Sequence, residues 1–325
     1  MPDEANFMRE LHRWDGRTYY GREQVKAAPF NNWYVGGYVF LSGLSGGAAL
    51  LSTIFDLTKG REARRIVRRG RLLSLLGPTI GTLGLLVDLH TPKRFYNMLR
   101  LLKLTSPMSI GSWILVAFGN FSALTATAEF LGVHRVARAT QVPLAASGAG
   151  LGTYTASLLS ATSTPLWAAA PCATAVKFAA SSVASAASAL SLGQGRSRIG
   201  RDLDKVALAG LAVELAATLS ADESFHRTGV APALGSMPGK IEEVSGTLLG
   251  TLTPIGLLVL SLAGPRRSRM LSGLAALLAL AGSATMRISF MAAGDESARN
   301  PQVSMRFAQP DNLGRVASWP IQKRK

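Results

Sequence analysis

Hydrophobic positions along this chain cluster into long runs rather than alternating or recurring on one helix face. Eight stretches, approximately 33–56, 72–90, 108–131, 143–163, 166–193, 204–221, 243–264 and 268–292, are mainly apolar. Each is close to the roughly 20 residues a helix needs to cross a hydrocarbon layer about 30 Å thick. The pattern predicts an all-α polytopic membrane protein with eight transmembrane helices, arranged as two four-helix bundles. The sixth stretch is the weakest, being short and holding Glu214. Only the turn TSTP separates the fourth stretch from the fifth, so these two are expected to form a tight antiparallel hairpin. The expected organisation is an extracytoplasmic tail over 1–31, a transmembrane domain over 32–292 and an extracytoplasmic tail over 293–325. No apolar core of a cleavable signal peptide occurs in the first 30 residues, so the tail is expected to stay in the mature protein.

Charge sharpens this picture. The chain has 325 residues, 48% of them hydrophobic and only 17% charged, yet its formal net charge is +16. Such a balance in a soluble protein would suggest nucleic acid, but no basic patch is interleaved with aromatics on a polar fold. The bases sort by loop instead. Lys205 and Arg269 stand within the first two residues of their stretches and belong with the preceding loops. On that count the gaps after stretches one, three, five and seven hold 16 Lys or Arg, and the other three gaps hold 6. The densest block is KGREARRIVRRGR, Lys59 to Arg71. By the positive-inside rule those four gaps face the cytoplasm, which places both termini outside.

The stretches are rich in Gly, Ala and Ser. Gly43/Gly47, Gly77/Gly81, Gly148/Gly152 and Gly246/Gly250 each form a GxxxG step, which lets helix backbones approach closely in lipid. GLSGG at 43–47 lies inside an apolar helix and follows no strand, so it reads as packing rather than as a nucleotide loop. No Ser-His-Asp, metal-ligand or P-loop spacing occurs.

Ionisable residues inside a bilayer are costly and mark candidate sites. Apart from bases at the very start of a stretch, the interior cations are Lys177 and Arg287, and the acids are Asp56, Asp88, Glu129 and Glu214. On the expected topology Asp88 and Arg287 lie toward the outer face, Lys177 and Glu214 near the midplane, and Glu129 and Asp56 toward the cytoplasm. Two readings stay open. Glu129, Lys177, Glu214 and Arg287 form a broken proton path, or Lys177 pairs with Glu214 and Arg287 with Asp88 as bundle-locking ion pairs. Asp56 and Glu129, at stretch ends, read as interfacial. Asp88 opens a dense polar segment, VDLHTPKRFYNMLRLLKLTSPMSIGSW (87–113), at the expected depth of Asn31, Asn32, Trp33, Tyr34 and Tyr38. Hydrogen-bond donors and a proton source at the mouth of an apolar crevice would suit a quinone head group. An aromatic belt with a helix-capping loop is the plainer alternative. The single cysteine, Cys172, cannot hold an iron–sulfur cluster, and four scattered histidines cannot supply the two bis-histidine pairs of a di-haem cytochrome b.

These segments also resemble a known family. NNWYVGGYVFLSGLSGGAALL (31–51), with the lead-in TYYGREQVKAAP (18–29), is similar to the first span of the NrfD/PsrC family of polysulfide-reductase-type membrane subunits. The segment from Asp88 to Trp113 resembles the family's DLGRPxRF…TSPMSxGxW, the most specific match. TSTPLW (162–167) and MRISFMAAGDESARNP (286–301) resemble the turn before span five and the close of the last span. The chain departs at His90 and Thr91, where the family carries Gly-Arg, and at Lys177, where it is commonly apolar.

The resemblance implies a membrane subunit without haem or iron–sulfur cluster of its own, taking a quinone or quinol (menaquinone or ubiquinone) as substrate near the outer leaflet. It implies electron exchange with a separate ferredoxin-like iron–sulfur subunit and a molybdopterin catalytic subunit. By the family pattern Asn32, Tyr34, Tyr38, Asp88 and His90 surround the head group, with Asp88 exchanging the proton. Arg94 and Phe95 face the partner. A purely structural anchor and a secondary transporter lined by Lys177, Glu214 and Arg287 are the competing classes. Pro78, Pro171 and Pro254 match a transporter's broken-helix pattern only loosely.

Overall fold

The computed structural model describes residues 25–89, 92–100, 102–308 and Asn312. Among them there is helix and no strand. The chain runs through α1 (Asn32–Lys59), α2 (Arg64–Asp88), α3 (Pro107–Phe130), α4 (His134–Ser160), the single turn α5 (Pro165–Ala168), α6 (Pro171–Ser191) and α7 (Arg198–Thr228). It continues through the short α8 (Met237–Ile241), a π-helical stretch (Glu242–Leu252), α9 (Thr253–Ala263), α10 (Arg269–Arg299) and α11 (Pro301–Phe307). Five segments are long and apolar enough to cross a membrane: Asn32–Asp88, Pro107–Phe130, Pro171–Ser191, Met237–Ala263 and Arg269–Arg299. The first of these is two helices, because Gly60 takes a positive φ of 54° and a 3-10 turn over Gly60–Ala63 reverses the chain. Helices α4 and α7 are equally long but not equally apolar. The first opens on HRVARATQ, and the second carries four acids between Asp202 and Asp222.

Helix boundaries follow local chemistry. Asn31, Ser106, Ser197 and Ser268 cap α1, α3, α7 and α10 by accepting a backbone N–H from the first turn. Pro107 and Pro171 stand in the first turn of their helices, where a missing N–H costs nothing. Gly229 ends α7 in the left-handed conformation, φ 74°. Several ends differ from the sequence expectation: α4 begins at His134 rather than 143, α7 runs to Thr228 rather than 221, and the fifth stretch is split into α5 and α6. Helix α2 begins at Arg64, so the densest basic block is partly helical, and Arg71 lies within the bundle. Helix α10 runs on to Arg299, past the expected end at 292.

Helix α1 is the hub, packing on α2, α4, α6 and α10. Further helix pairs include α3 with α4, α6 with α7, α6 with α4 and α10, and α10 with the π stretch and α9. Small residues set these distances. A Cβ on Gly46 would run into the Gly148 carbonyl of α4, and one on Gly250 into Gly282 of α10. The hairpin turn docks by Trp167, whose indole donates to the Phe290 carbonyl at 3.1 Å while its ring stacks on Phe30.

Candidate functional site

An apolar crevice of about 620 Å³ opens between α2, α3, α4 and the 3-10 turn Pro92–Leu99. Its size falls within the range of small-molecule sites, and apolar walls with a few convergent polar groups are their usual composition. Leu83, Leu86, Phe95, Met98, Leu115 and Leu158 line it. Tyr38 and Tyr154, their hydroxyls 2.8 Å apart, are among its polar lining residues, with Thr79, Thr82, Ser112 and Ser122. Pro78 lies on the wall and interrupts the α2 ladder, since it cannot donate to the Ser74 carbonyl. Leu89 also lines the crevice, which puts Asp88 beside its rim.

The sequence-predicted head-group residues divide. Tyr38 lines the crevice, and so does Phe95, whose expected place is the partner interface rather than around the head group. Asp88 accepts the Asn31 backbone N–H at 3.2 Å, tying the end of α2 to the start of α1. Asn32 turns away and donates to Asp295 of α10 at 2.8 Å, where Asp295 also accepts the Ala28 N–H at 3.2 Å. Tyr34 is 44% exposed and is not part of the crevice lining. His90 lies outside the described residues, as does the side chain of Arg94. Tyr154 was not among the expected residues. It stands alone in an Ala/Gly/Ser helix, and only the fold shows that it meets Tyr38, 116 positions away.

A second constellation lies where α1, α6, α7 and α10 meet. Lys177 donates to Glu242 at 2.5 Å, so its partner is the first residue of the π stretch and not Glu214. Sequence could not rank the two acids, because both stand on helices packed against α6 or its neighbours. Glu214 faces the same cluster across the α6–α7 seam, toward Ser181, Lys177 and Arg287. Arg287, 1% exposed, is not paired with Asp88. Its guanidinium donates to Ser181 and Ser182 hydroxyls and the Phe178 carbonyl, bonds Ser283, and stacks over the Phe178 ring. That contact with α6 one residue past Lys177 sets Arg287 level with Lys177, not out at Asp88. Serine hydroxyls thus disperse the charge of Arg287 over its two terminal nitrogens, while its Nε is left without a partner. Lys177, Glu214 and Arg287 therefore gather at one place, Arg287 deeper than the sequence expectation beside Asp88, whereas Glu129 does not join them.

Two further buried cations went unnoticed in the sequence because they were assigned to loops. Arg71 binds Glu129 at 2.5 Å, Gln141 at 2.5 Å and Asp56 at 3.6 Å. Asp56 and Glu129 are thereby ligands of a buried arginine rather than plain interfacial acids. Arg267 grips Asp204 at 2.6 and 3.0 Å, with Ser272 donating to the same carboxylate at 2.6 Å.

Long apolar helices, close small-residue seams, buried ion pairs and a crevice among the helices define a multi-pass helical membrane protein. The chain belongs to the NrfD family: the family model "Polysulphide reductase, NrfD" matches residues 26–296. It is also similar to the C subunit of polysulfide reductase from Wolinella succinogenes, with 29% identity over 152 residues. That match takes in 40% of this protein and 47%, about half, of the relative's length.

Proposed function

We propose that this chain is the quinone- or quinol-reactive membrane subunit of an oxidoreductase complex in the bacterial inner membrane. It anchors the complex and exchanges electrons with a separate iron–sulfur subunit, itself linked to a molybdopterin catalytic subunit. Eight spans in two four-helix bundles, with both termini outside, complete the reading, supported by the long helices and the alternation of basic loops.

The observation that carries it is the apolar crevice whose lining includes the bonded Tyr38–Tyr154 hydroxyl pair. An isoprenoid tail suits leucine, methionine and phenylalanine walls, and a quinone carbonyl suits a phenol donor. Because the two phenols already bond each other, only one proton is needed between them. The other hydroxyl can turn toward a substrate oxygen. Reduction of a quinone takes two electrons and two protons, and the reverse releases them. Electrons come from or go to the partner subunit. Asp88, beside the rim, is the proton-exchanging group toward the outer face. Inward, Ser42 stands one helical turn from Tyr38 and beside Gly43, which packs on Ser182 and Arg287. This adjacency favours a proton route from the crevice to Lys177, Glu214 and Glu242.

The experiment is quinol-analogue turnover by the assembled complex, together with photolabelling by an azido-quinone. Labelled peptides are expected from Pro92–Leu99 and α3. Unaltered turnover in Tyr154→Phe and Asp88→Asn, with label elsewhere, would leave the anchor reading in its place.

A further inference from the structure

At the opposite end of α2 from the crevice lies a second cavity, of about 260 Å³ and quite different chemistry. Its lining holds five arginines, Arg61, Arg64, Arg71, Arg135 and Arg138, against two carboxylates, Asp56 and Glu129. Both carboxylates are already engaged. Asp56 receives Arg138 at 3.0 Å and Gln141 at 2.8 Å, and Glu129 receives Arg71. Arg61 and Arg135 pair with no carboxylate among the described residues, and Arg64 bonds only the His134 ring, at 3.1 Å. An excess of cationic donors therefore faces one cavity.

Two independent features point to a ligand rather than a solvated basic face. Arg71, at the cavity wall, is only 5% exposed, and its Nε is a buried donor without a partner. Buried arginine donors are rarely left unused, since each unmet one costs free energy. The second feature is the set of exposed apolar side chains that adjoin the lining residues in sequence. Leu57, Phe130 and Leu131 are 61%, 87% and 67% exposed, within a few residues of Asp56, Glu129 and His134. Large apolar groups beside a cationic cavity at a helix end match the boundary between head groups and acyl chains.

We propose that this cavity binds a phosphate group. Arginine forks match phosphate oxygens in pairs, and basic pockets between membrane helices recognise acidic head groups. The phosphodiester of an acidic phospholipid, its chains against Phe130 and Leu131, and a free phosphate share this chemistry. The site is separate from the quinone reading and does not depend on it.

The test is thermal unfolding and titration of the full-length chain in neutral detergent. The probes are short-chain phosphatidylglycerol, short-chain phosphatidylcholine and inorganic phosphate. Saturable stabilisation by phosphatidylglycerol alone supports the site with a lipid source, and stabilisation by phosphate at similar concentration supports it with a soluble one. In either case the exposed double variant Arg61→Gln/Arg135→Gln should weaken apparent affinity roughly 30-fold, at about fivefold for each basic residue. The equally charge-depleted Arg196→Gln/Arg198→Gln should leave it unchanged. The proposal is overturned by equal stabilisation from phosphatidylcholine, by none from any probe, or by equal losses in both double variants. Because all four substituted arginines are exposed, neither variant depends on refolding a buried site.

Discussion

Removing Lys177 should cost stability that removing its partner as well restores. The Lys177 and Glu242 side chains are 7% and 12% exposed and lie 2.5 Å apart. At an effective dielectric near 20, a pair at that distance attracts by about 6–7 kcal/mol. Much of that is offset by taking both charges out of water, so the net worth of the pair is small. Deleting one partner is different. Lys177→Met leaves Glu242 charged and buried, with Glu214 facing the same spot, and should destabilise by about 3–5 kcal/mol. Glu242→Gln should cost a similar amount by stranding the ammonium. Lys177→Met/Glu242→Gln should fall within about 1–2 kcal/mol of the parent, a large coupling energy in a double-mutant cycle. Reversible unfolding in mixed micelles gives the energies. Single variants as stable as the parent would refute the buried pair. Quinone-linked turnover in the stable double variant then separates two roles. A proton relay predicts lost turnover despite restored stability, whereas a structural lock predicts that both return.

Three further outcomes are expected. Tyr154→Phe should weaken binding of a quinol analogue about tenfold, the worth of one hydrogen bond, while the exposed Tyr34→Phe changes nothing; fluorescence titration reads both. Asp88→Asn should abolish quinone-linked electron transfer yet leave the complex assembled, checked by co-purification of the iron–sulfur subunit with turnover. Gly46→Val should destabilise by about 1–3 kcal/mol or more, because the added carbons meet the α4 backbone, whereas Gly119→Val, with open space around it, should be near neutral. Unfolding midpoints compare the two.

Most of the helical frame is legible along the chain because it is written locally. Apolar runs, capping serines and Pro at helix starts act over a few residues. What the runs do not mark are polar residues whose partners come from elsewhere. Arg71 lies in a block of seven bases and reads as a loop signal, yet Glu129, 58 positions on, draws it inside. Arg267 and Asp204, 63 apart, are hidden in the same way. Tyr154 resembles any interfacial tyrosine until the fold sets it against Tyr38. Asn32 and Asp295 stand at opposite ends of the chain, 263 positions apart, and their bond fastens α1 to α10. Spacing carries no trace of such pairs.

The positive-inside signal and the buried arginines are one feature seen twice. A helix that starts inside a basic block can place some arginines on its lipid and solvent faces and turn others inward. With 3.6 residues per turn, Arg64, Arg68 and Arg71 fall along one side of α2, and Arg65 and Arg69 along another. Of these, Arg71 is the one carried deep enough to need carboxylates, and Asp56, Glu129 and Gln141 meet it there. Arg64 and Arg68 stay exposed on the same side of the helix. The same block therefore locks α1, α2, α3 and α4 together and leaves over the cationic excess that lines the second cavity. A lysine at 71 would still count toward topology but could not bridge Glu129, Asp56 and Gln141 with one planar group. Arg71→Lys should keep the orientation while loosening the bundle at that end.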